Sequence, residues 1–389
     1  MLNLSPCLLK NKVYGNMSEQ KLMKDMLGEQ AISQISQALA MCLTDFPQQQ
    51  FIQQARTGLN KLELKQRVDH IIAVLADYLP VDFADAADVL ISVKKHWLKL
   101  APADSSVSFA AWPLIDYVAI YGLSQPETAL NVLKILTPLF SAEFAIRPFI
   151  TQHFDITYQH LLSWASDSDD HVRRLASEGS RPRLPWGKRL TQFCDNPEPI
   201  FLILEQLKDD DSLYVRRSVA NNLNDIAKDH PAKVIRLCQF WSLGASAERQ
   251  WLIRHALRSL VKSGYSEAFV LLGYSNNPQI TIPIFKLIDT RVMLGNKLEI
   301  EVLLQSEVVD TQKLVIDYRI HHVKANGSTT SKVFKWKNIT LHGQQTVTLS
   351  KSHPFKLITT RKYYAGTHLV ELLINGVQYA SAEFELRLE

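Results

Sequence analysis

The stretch "DHVRRLASEG" spans residues 170–179, and 43 residues further on "LYVRRSVANNL" runs from Leu213 to Leu223. Both place two arginines directly after a valine. A third copy, "QWLIRHALRSL" (Gln250–Leu260), follows about 37 residues later with the same spacing. Each copy trails an apolar helical segment. A period near 40 with paired helices fits HEAT-like repeats, in which each pair buries its apolar face only by stacking on its neighbours. Arg174, Arg217 and Arg254 each stand two residues after an apolar anchor. In a stack, such positions form a row, and a row of guanidinium groups suits a phosphate backbone. The competing reading is that these arginines only bridge to acids on the preceding helix.

Working outward, the helical period extends from about residue 18 to 290. "LELKQRVDHIIAVLADYL" and "PETALNVLKILTPLF" repeat apolar residues every three or four positions. "LPVDF", "LSQPE", "DNPEP" and "KDHPAK" break the run into short helices. After about Gly295 the period becomes two, in "KLEIEV", "KLVIDYRI", "VFKWKN", "QTVTL", "HLVELLI" and "EFELRL". Asn375-Gly376 marks a hairpin turn. Six or seven strands of this kind predict a β-sandwich. The expected organisation is mainly α with a β module. Residues 1–16 form a disordered extension or follow a start assigned too early, 17–293 a HEAT-like α-solenoid, and 294–389 an immunoglobulin-like β-sandwich. Lys332, Lys335 and Lys337 lie beside the loop "KANGSTT". They read as a solvated sheet face, or as a second surface for a polyanion.

Composition excludes several classes. A net charge of +4 is too small to imply nucleic acid by itself, so the placing of charge matters more than its sum. Cys7, Cys42, Cys194 and Cys238 are scattered without metal-ligand spacing, which predicts a reducing compartment and no structural zinc. No apolar run is long enough to suggest a membrane span. No G-x-G-x-x-G, P-loop or G-x-S-x-G pattern occurs, so dinucleotide, nucleotide-triphosphate and serine-hydrolase readings lose their main support.

The chemistry concentrates in "DHVRRLASEGSRPRLPWGKRL", residues 170–190, which holds six Lys/Arg and, after Asp170, one acid, Glu178. Asp170 is the expected N-cap. Val172, Leu175 and Ala176 form the apolar stripe, and Gly179 and Pro182 end the helix. Glu178 thus falls in the last turn, where the helix dipole disfavours an anion. An Arg174–Glu178 pair one turn apart is the bland explanation, worth a few tenths of a kcal/mol. It leaves the basic run after it unexplained. In that run cations can hold phosphates, and Trp186 offers a flat face to a sugar or base, although packing is the commoner use of a tryptophan.

"VRRLASEGSRPRLPW" resembles the signature of the DNA alkylation repair glycosylases built on HEAT-like repeats, the AlkC and AlkD group, and is most similar to the AlkC branch. "AEFAIRPFI" (Ala142–Ile150), "VRRSVANNLNDIAKDHP" (Val215–Pro231) and "MSEQKLMKDMLG" from Met17 resemble further stretches of that branch. One AlkC subtype also carries an immunoglobulin-like module at its end. The likeness covers nearly the whole chain from Met17. It implies a monofunctional glycosylase that hydrolyses the N-glycosidic bond of cationic alkylated bases, N3-methylcytosine and N3-methyladenine. Carried over by motif, Glu178, Glu143 and Asp225 are the acids of the active cleft, and Trp186 matches the aromatic position. Arg173, Arg174, Arg181, Arg183, Lys188, Arg189 and Arg217 are the expected DNA-binding cations. The aromatic and aspartate arrangement of the AlkD branch is not evident. No cofactor or metal is implied. The expected partner is double-stranded DNA containing alkylated bases, for a monomer off the membrane in the cytoplasm, on the nucleoid in a bacterium.

The chemistry agrees with the residues. A cationic base leaves as a neutral molecule and needs little acid help. The deoxyribose left behind becomes oxocarbenium-like, and a carboxylate beside C1′ stabilises it and orients water. Two other functions compete: a non-catalytic DNA-binding lesion sensor, and a protein-interaction scaffold.

Overall fold

The computed structural model describes residues 22–100, 109–358 and 361–388. The extension expected at residues 1–16 lies outside them. The chain divides into two compact units at Ile226 and Ala227.

The first unit is helical among the described residues. Its order is α1 (Glu29–Ala40), α2 (Gln48–Arg56), α3 (Leu64–Ala76), α4 (Phe83–Leu100), α5 (Trp112–Tyr121) and α6 (Pro126–Leu136). Then come α7 (Arg147–Gln152), α8 (Phe154–Trp164), α9 (Asp170–Gly179), α10 (Thr191–Asp195), α11 (Glu198–Leu207) and α12 (Leu213–Ile226). Proline occupies the first turn of α5, α6, α7 and α11. There it loses no helical hydrogen bond, and its fixed φ starts the next helix in a new direction. α9 packs on α8, α11 and α12. Val172, Leu175 and Ala176 are buried, as the periodicity predicts.

The repeat is visible in the hydrogen bonds. Asp169 N donates to Asp167 Oδ1 at 2.9 Å, and Ser212 N to Asp210 Oδ1 at 2.8 Å. The amides of Val172 and Arg173 reach Asp169 O, and those of Val215 and Arg216 reach Ser212 O. Arg173 Nη1 returns to Asp167 O and Ser168 O, while Arg216 Nη1 returns to Asp210 O and Asp211 O. One structural unit is therefore used twice, 43 residues apart. The cap of α9 is Asp169, not Asp170 as expected. Its carboxylate accepts from His171 N at 2.8 Å. Asp170 instead accepts from Ser212 Oγ at 2.7 Å, a tie between the two repeats that the local sequence does not reveal.

The second unit holds α13 (Pro231–Ser242), α14 (Ala247–Ala256), α15 (Arg258–Ser263) and α16 (Ser266–Leu271), followed by a β-sandwich. The strands are β1 (Ile280–Leu287), β2 (Arg291–Met293), β3 (Lys297–Ser306), β4 (Gln312–Val323), β5 (Thr329–Leu341), β6 (Thr346–Pro354), β7 (Gly366–Ile374) and β8 (Val377–Arg387). One sheet has the order β1-β3-β6, the other β2-β8-β7-β4-β5. Leu298, Ile300, Tyr318, Ile320, Phe355 and Phe384 form one part of the core between them.

β1 and β2 start before residue 294, where the period-two pattern was expected to begin. Pro283 hides β1, because proline cannot donate to a ladder. The fold accepts it on an edge strand, where the register shifts between Thr281 and Ile284. Lys332, Lys335 and Lys337 lie on β5, the edge of the larger sheet, and exposed lysines there discourage pairing with another strand. Asn375 (φ 46°) and Gly376 (φ 82°) form the expected two-residue hairpin, both left-handed. A Cβ on Gly376 would come within 2.4 Å of the Gly264 Cα, so this turn needs glycine for space as well as for φ. No helix among the described residues is long and apolar enough to cross a membrane.

Candidate active site

Two helix faces build the site. α9 presents Arg174, Ser177 and Glu178, and the turn after it presents Arg181. α12 presents Tyr214, Ser218, Asn222 and Asp225, spaced four, four and three residues apart and so on one face. Asn222 Nδ2 donates to Ser177 O at 2.7 Å and fixes the last turn of α9 against α12.

The charged side chains form an alternating ladder: Glu143, Arg174, Glu178, Arg181, Asp225. Arg174 Nη1 is 2.8 Å from Glu143 Oε2, and its Nη2 is 3.6 Å from Glu178 Oε1. Arg181 Nη1 donates to Glu178 Oε1 at 2.6 Å, and its Nε and Nη2 both reach Asp225 Oδ2 at 2.7 Å. Ser218 Oγ donates to Glu178 Oε2 at 2.6 Å. Ser141 Oγ donates to Glu143 Oε2 at 2.9 Å. The Arg174 guanidinium lies over the Tyr214 ring, 4.7 Å from its centroid. The pair expected from sequence, Arg174 with Glu178, is present but is the longest link. The stronger bonds come from Arg181 and from across the repeat.

Burial pushes the Glu178 carboxyl up, as it does any ion removed from water. Arg174 and Arg181, with the hydrogen bonds from Ser218 and Arg181, outweigh it and leave the group below its ordinary value. Burial likewise favours the neutral forms of Arg174 and Arg181. Glu143 and Glu178 hold the first positively charged, and Glu178 and Asp225 hold the second. The ladder alone has three carboxylates against two guanidinium groups, and the buried Arg147, within electrostatic reach of Glu143, Asp225 and Arg181, supplies a third cation.

Arg147 positions this assembly, and sequence reasoning missed it although it stands in "AEFAIRPFI". It is buried, and its guanidinium donates to the carbonyls of Gly179 (3.0 Å), Arg181 (2.9 Å) and Lys188 (2.6 Å). It therefore ties together both ends of the loop carrying Arg181 and Trp186. Burial, then repulsion by Arg181, lowers Arg147 to about 10, so it stays charged at neutral pH. Within the loop, Gly187 N donates to Leu184 O at 3.1 Å, with Pro185 and Trp186 at the corners of the turn. Trp186 has φ 65°, a left-handed conformation that costs a bulky residue on the order of 1–3 kcal/mol. Its side chain is nonetheless exposed, with 67% of the residue surface open. The strain gains no burial, which packing alone would require.

The other candidates divide. Arg173 is bound into the fold: it grips both Asp210 carboxylate oxygens (2.5 and 3.0 Å) as well as the carbonyls before α9. Arg174 and Arg181 sit inside the ladder. Lys188 and Arg189 are exposed beside Trp186, and Arg183 and Arg217 are half-buried. Arg254, in the second unit, is exposed on α14. Among the described residues no group of His, Cys, Asp or Glu is arranged to hold a metal ion. Ser141, Tyr214, Ser218 and Asn222 were also missed. For those on α12 the available signal was a run of polar residues at helical spacing on the face that meets α9.

Residues 281–388 match the family described as "Uncharacterised protein YhaZ, C-terminal Ig-like domain". The chain is 36% identical over 365 residues to "Uncharacterized protein YhaZ" of Bacillus subtilis (strain 168), covering 94% of this chain and 99% of that protein. It superposes with a TM-score of 0.87, at 37% identity, on the Pseudomonas fluorescens alkylpurine DNA glycosylase AlkC bound to DNA containing an abasic site analog. That match covers 94% of this chain and 99% of the other.

Proposed function

The chain belongs to the AlkC-type family that includes YhaZ, and from that membership we propose that it is a monofunctional DNA glycosylase acting on cationic alkylated bases, N3-methylcytosine and N3-methyladenine, in double-stranded DNA. The observation that carries the reading is the ladder. It joins the three acids of the family motifs, from three separate stretches of sequence, into one array in which each carboxylate is held by a guanidinium group.

The reaction needs such an array. As the C1′–N bond breaks, its electron pair moves onto the base, which becomes neutral. Positive charge develops on the deoxyribose, water adds at C1′, and a proton leaves. Glu178 is held ionised with both oxygens fixed by Arg181 and Ser218. It acts as a preorganised negative charge that needs no rearrangement when the cation forms. Glu143 orients the water. Its side chain is 15% exposed, against 7% for Glu178 and 3% for Asp225, so it is the acid that water reaches most readily. Asp225 holds Arg181 in place. Carboxylates near the lesion also favour a cationic base over a neutral one, which gives selectivity through charge. The flanking cations Arg183, Lys188, Arg189 and Arg217, with the Trp186 face, hold the DNA backbone and a sugar or base.

The test is incubation with methylated duplex DNA carrying both lesions, followed by identification of the released base and of heat-labile abasic sites. Release of the two methylated bases, lost in Glu178→Gln, supports the reading. Salt-sensitive DNA binding without release identifies a lesion sensor instead. Negligible DNA affinity identifies a scaffold.

A further inference from the structure

The chain has twelve histidines, and three of them, His322, His353 and His368, are buried. All three lie in one cluster in the β-sandwich. His322 comes from β4 and His368 from β7 of the larger sheet, and His353 from β6 of the smaller one. They surround the fully buried Phe355, with the His322, His368 and His353 rings 6.1, 6.3 and 5.0 Å from its centroid. Tyr318, Phe334, Tyr363 and Phe384 pack around them. Polar partners are few. Tyr318 Oη and His353 Nδ1 share a hydrogen bond of 2.9 Å, and His368 Nε2 donates to the Tyr364 carbonyl at 3.1 Å. His368 Nδ1 and both ring nitrogens of His322 are buried with no hydrogen-bond partner among the described residues. A leucine or phenylalanine would fill such a place without burying nitrogen atoms. The charged groups that act on the rings are Arg361 on all three, Lys332 on His322 and His353, and Lys351 on His353, cations throughout. The other titratable neighbours are the Tyr318 and Tyr363 phenols, which burial keeps neutral. No carboxylate is among these neighbours to pair with an imidazolium.

We propose that this cluster is an acid-sensitive switch in the β-sandwich: its two sheets stay together while the three imidazoles are neutral, and part when protons reach them. The unfolded chain takes up these protons in water, whereas the folded sandwich must exclude them or bury cation beside cation. Burial, then Arg361, lowers His322 to about 3, and burial, then Lys351, lowers His353 to about 4. Burial lowers His368 as well. A histidine lowered in this way contributes its stability in full above the ordinary value of 6.5 and loses it as pH falls from there toward the lowered one. The first unit has no buried histidine among its described residues. Its Asp116, raised to about 6 by burial, works in the opposite direction, because the folded unit takes up that proton more readily than the unfolded chain. Mild acid therefore opens the sandwich and spares the helices of the first unit.

The test is peptide-resolved amide hydrogen exchange of the full chain at about pH 7.5 and about pH 5.5, corrected for the intrinsic pH dependence of exchange. For peptides within residues 281–388 the opening equilibrium constant is expected to rise about a hundredfold or more at the lower pH, about tenfold from each of His322 and His353. Peptides from α3 to α12 are expected to show no such rise. His322→Phe removes a ring that has no hydrogen bonds to lose, and is expected to cut the pH effect by about tenfold. The imidazole Cε1–H signals of the parent chain give a reading that needs no variant, and that decides the matter if His322→Phe does not fold. Three of the twelve histidines are expected not to titrate over this range while the chain is folded. Titration of all twelve near 6.5 overturns the inference. So does an opening constant of the sandwich that is the same at both pH values, a pH effect unchanged in a folded His322→Phe, or equal loosening of the two units.

Discussion

The α9 and α12 repeats start alike and end differently. Each opens with an aspartate that accepts the amide two residues on, then a valine, then an arginine that returns to the carbonyls five and six residues before it. In the last turns the likeness stops. Where α9 and its loop have Glu178 and Arg181, the positions 43 residues on are Asn221 and Asn224. The shared start satisfies the free amides and carbonyls at a helix entrance, which every repeat must do. The divergent ends build the ladder together, α9 and its loop bringing Glu178 and Arg181 and the end of α12 bringing Asp225. Most of the likeness between repeats thus marks what folds the chain; Arg174 is the exception, standing in the shared start opposite Arg217 yet joining Glu143 to Glu178.

The sharpest way to break this comparison is to change the two ends in parallel. Glu178→Gln is expected to slow base release by about 10²–10³-fold, the usual loss for one preorganised electrostatic group. Asn221→Ala is expected to leave single-turnover release at the parent rate. Equal effects would mean that the divergence has no catalytic content. The shared start is tested by stability. Arg173→Ala leaves Asp210 buried without its bidentate partner and is expected to cost about 3 kcal/mol in denaturant unfolding. Arg216→Ala is expected to cost about 1 kcal/mol. Neither should alter the release rate per folded molecule. A loss of DNA affinity in Arg173→Ala without destabilisation would instead make Arg173 a DNA contact.

Smaller effects refine the divergent end. Arg147→Lys keeps the charge but not the planar fork that reaches three carbonyls, so single-turnover release is expected to fall about tenfold with the fold intact by circular dichroism. Because the Glu178 carboxyl in the folded chain lies below its ordinary value of 4.5, its contribution is fully present above that value and is lost as pH falls through the lowered one. The acid limb of the release rate should therefore begin below 4.5, and a limb above it would show that the guanidinium groups do not hold the carboxylate ionised. The smallest effect concerns the exposed cations. Lys188→Ala should lower the slope of log affinity against log salt by about 1 if it meets a phosphate, with no change in the rate at saturation.

Much of this was legible in the sequence because it depends on neighbours in the chain. The helical period buries Val172, Leu175 and Ala176, the repeat shows in the spacing of Val172 and Val215, and Asn375-Gly376 forms its hairpin from two positive φ values. The isolation of Glu178 among cations was visible too, since charge composition is a property of the string. The local reading failed where local rules met a competing partner. Asp170 yielded the cap to Asp169 because Ser212 engages it from the next repeat. β1 was hidden by Pro283, which an edge strand tolerates.

Only the tertiary structure decided which cation serves which acid. Arg173 and Arg174 are adjacent and chemically identical, yet one grips Asp210 to hold the fold and the other joins Glu143 to Glu178. Arg147 stands alone in its stretch, and only folding shows that it anchors a loop more than 30 residues away. The physical reason is range. Hydrogen bonding within a helix is settled by residues three or four positions apart, whereas a buried charge takes whichever partner the packing of distant helices brings within about 3 Å.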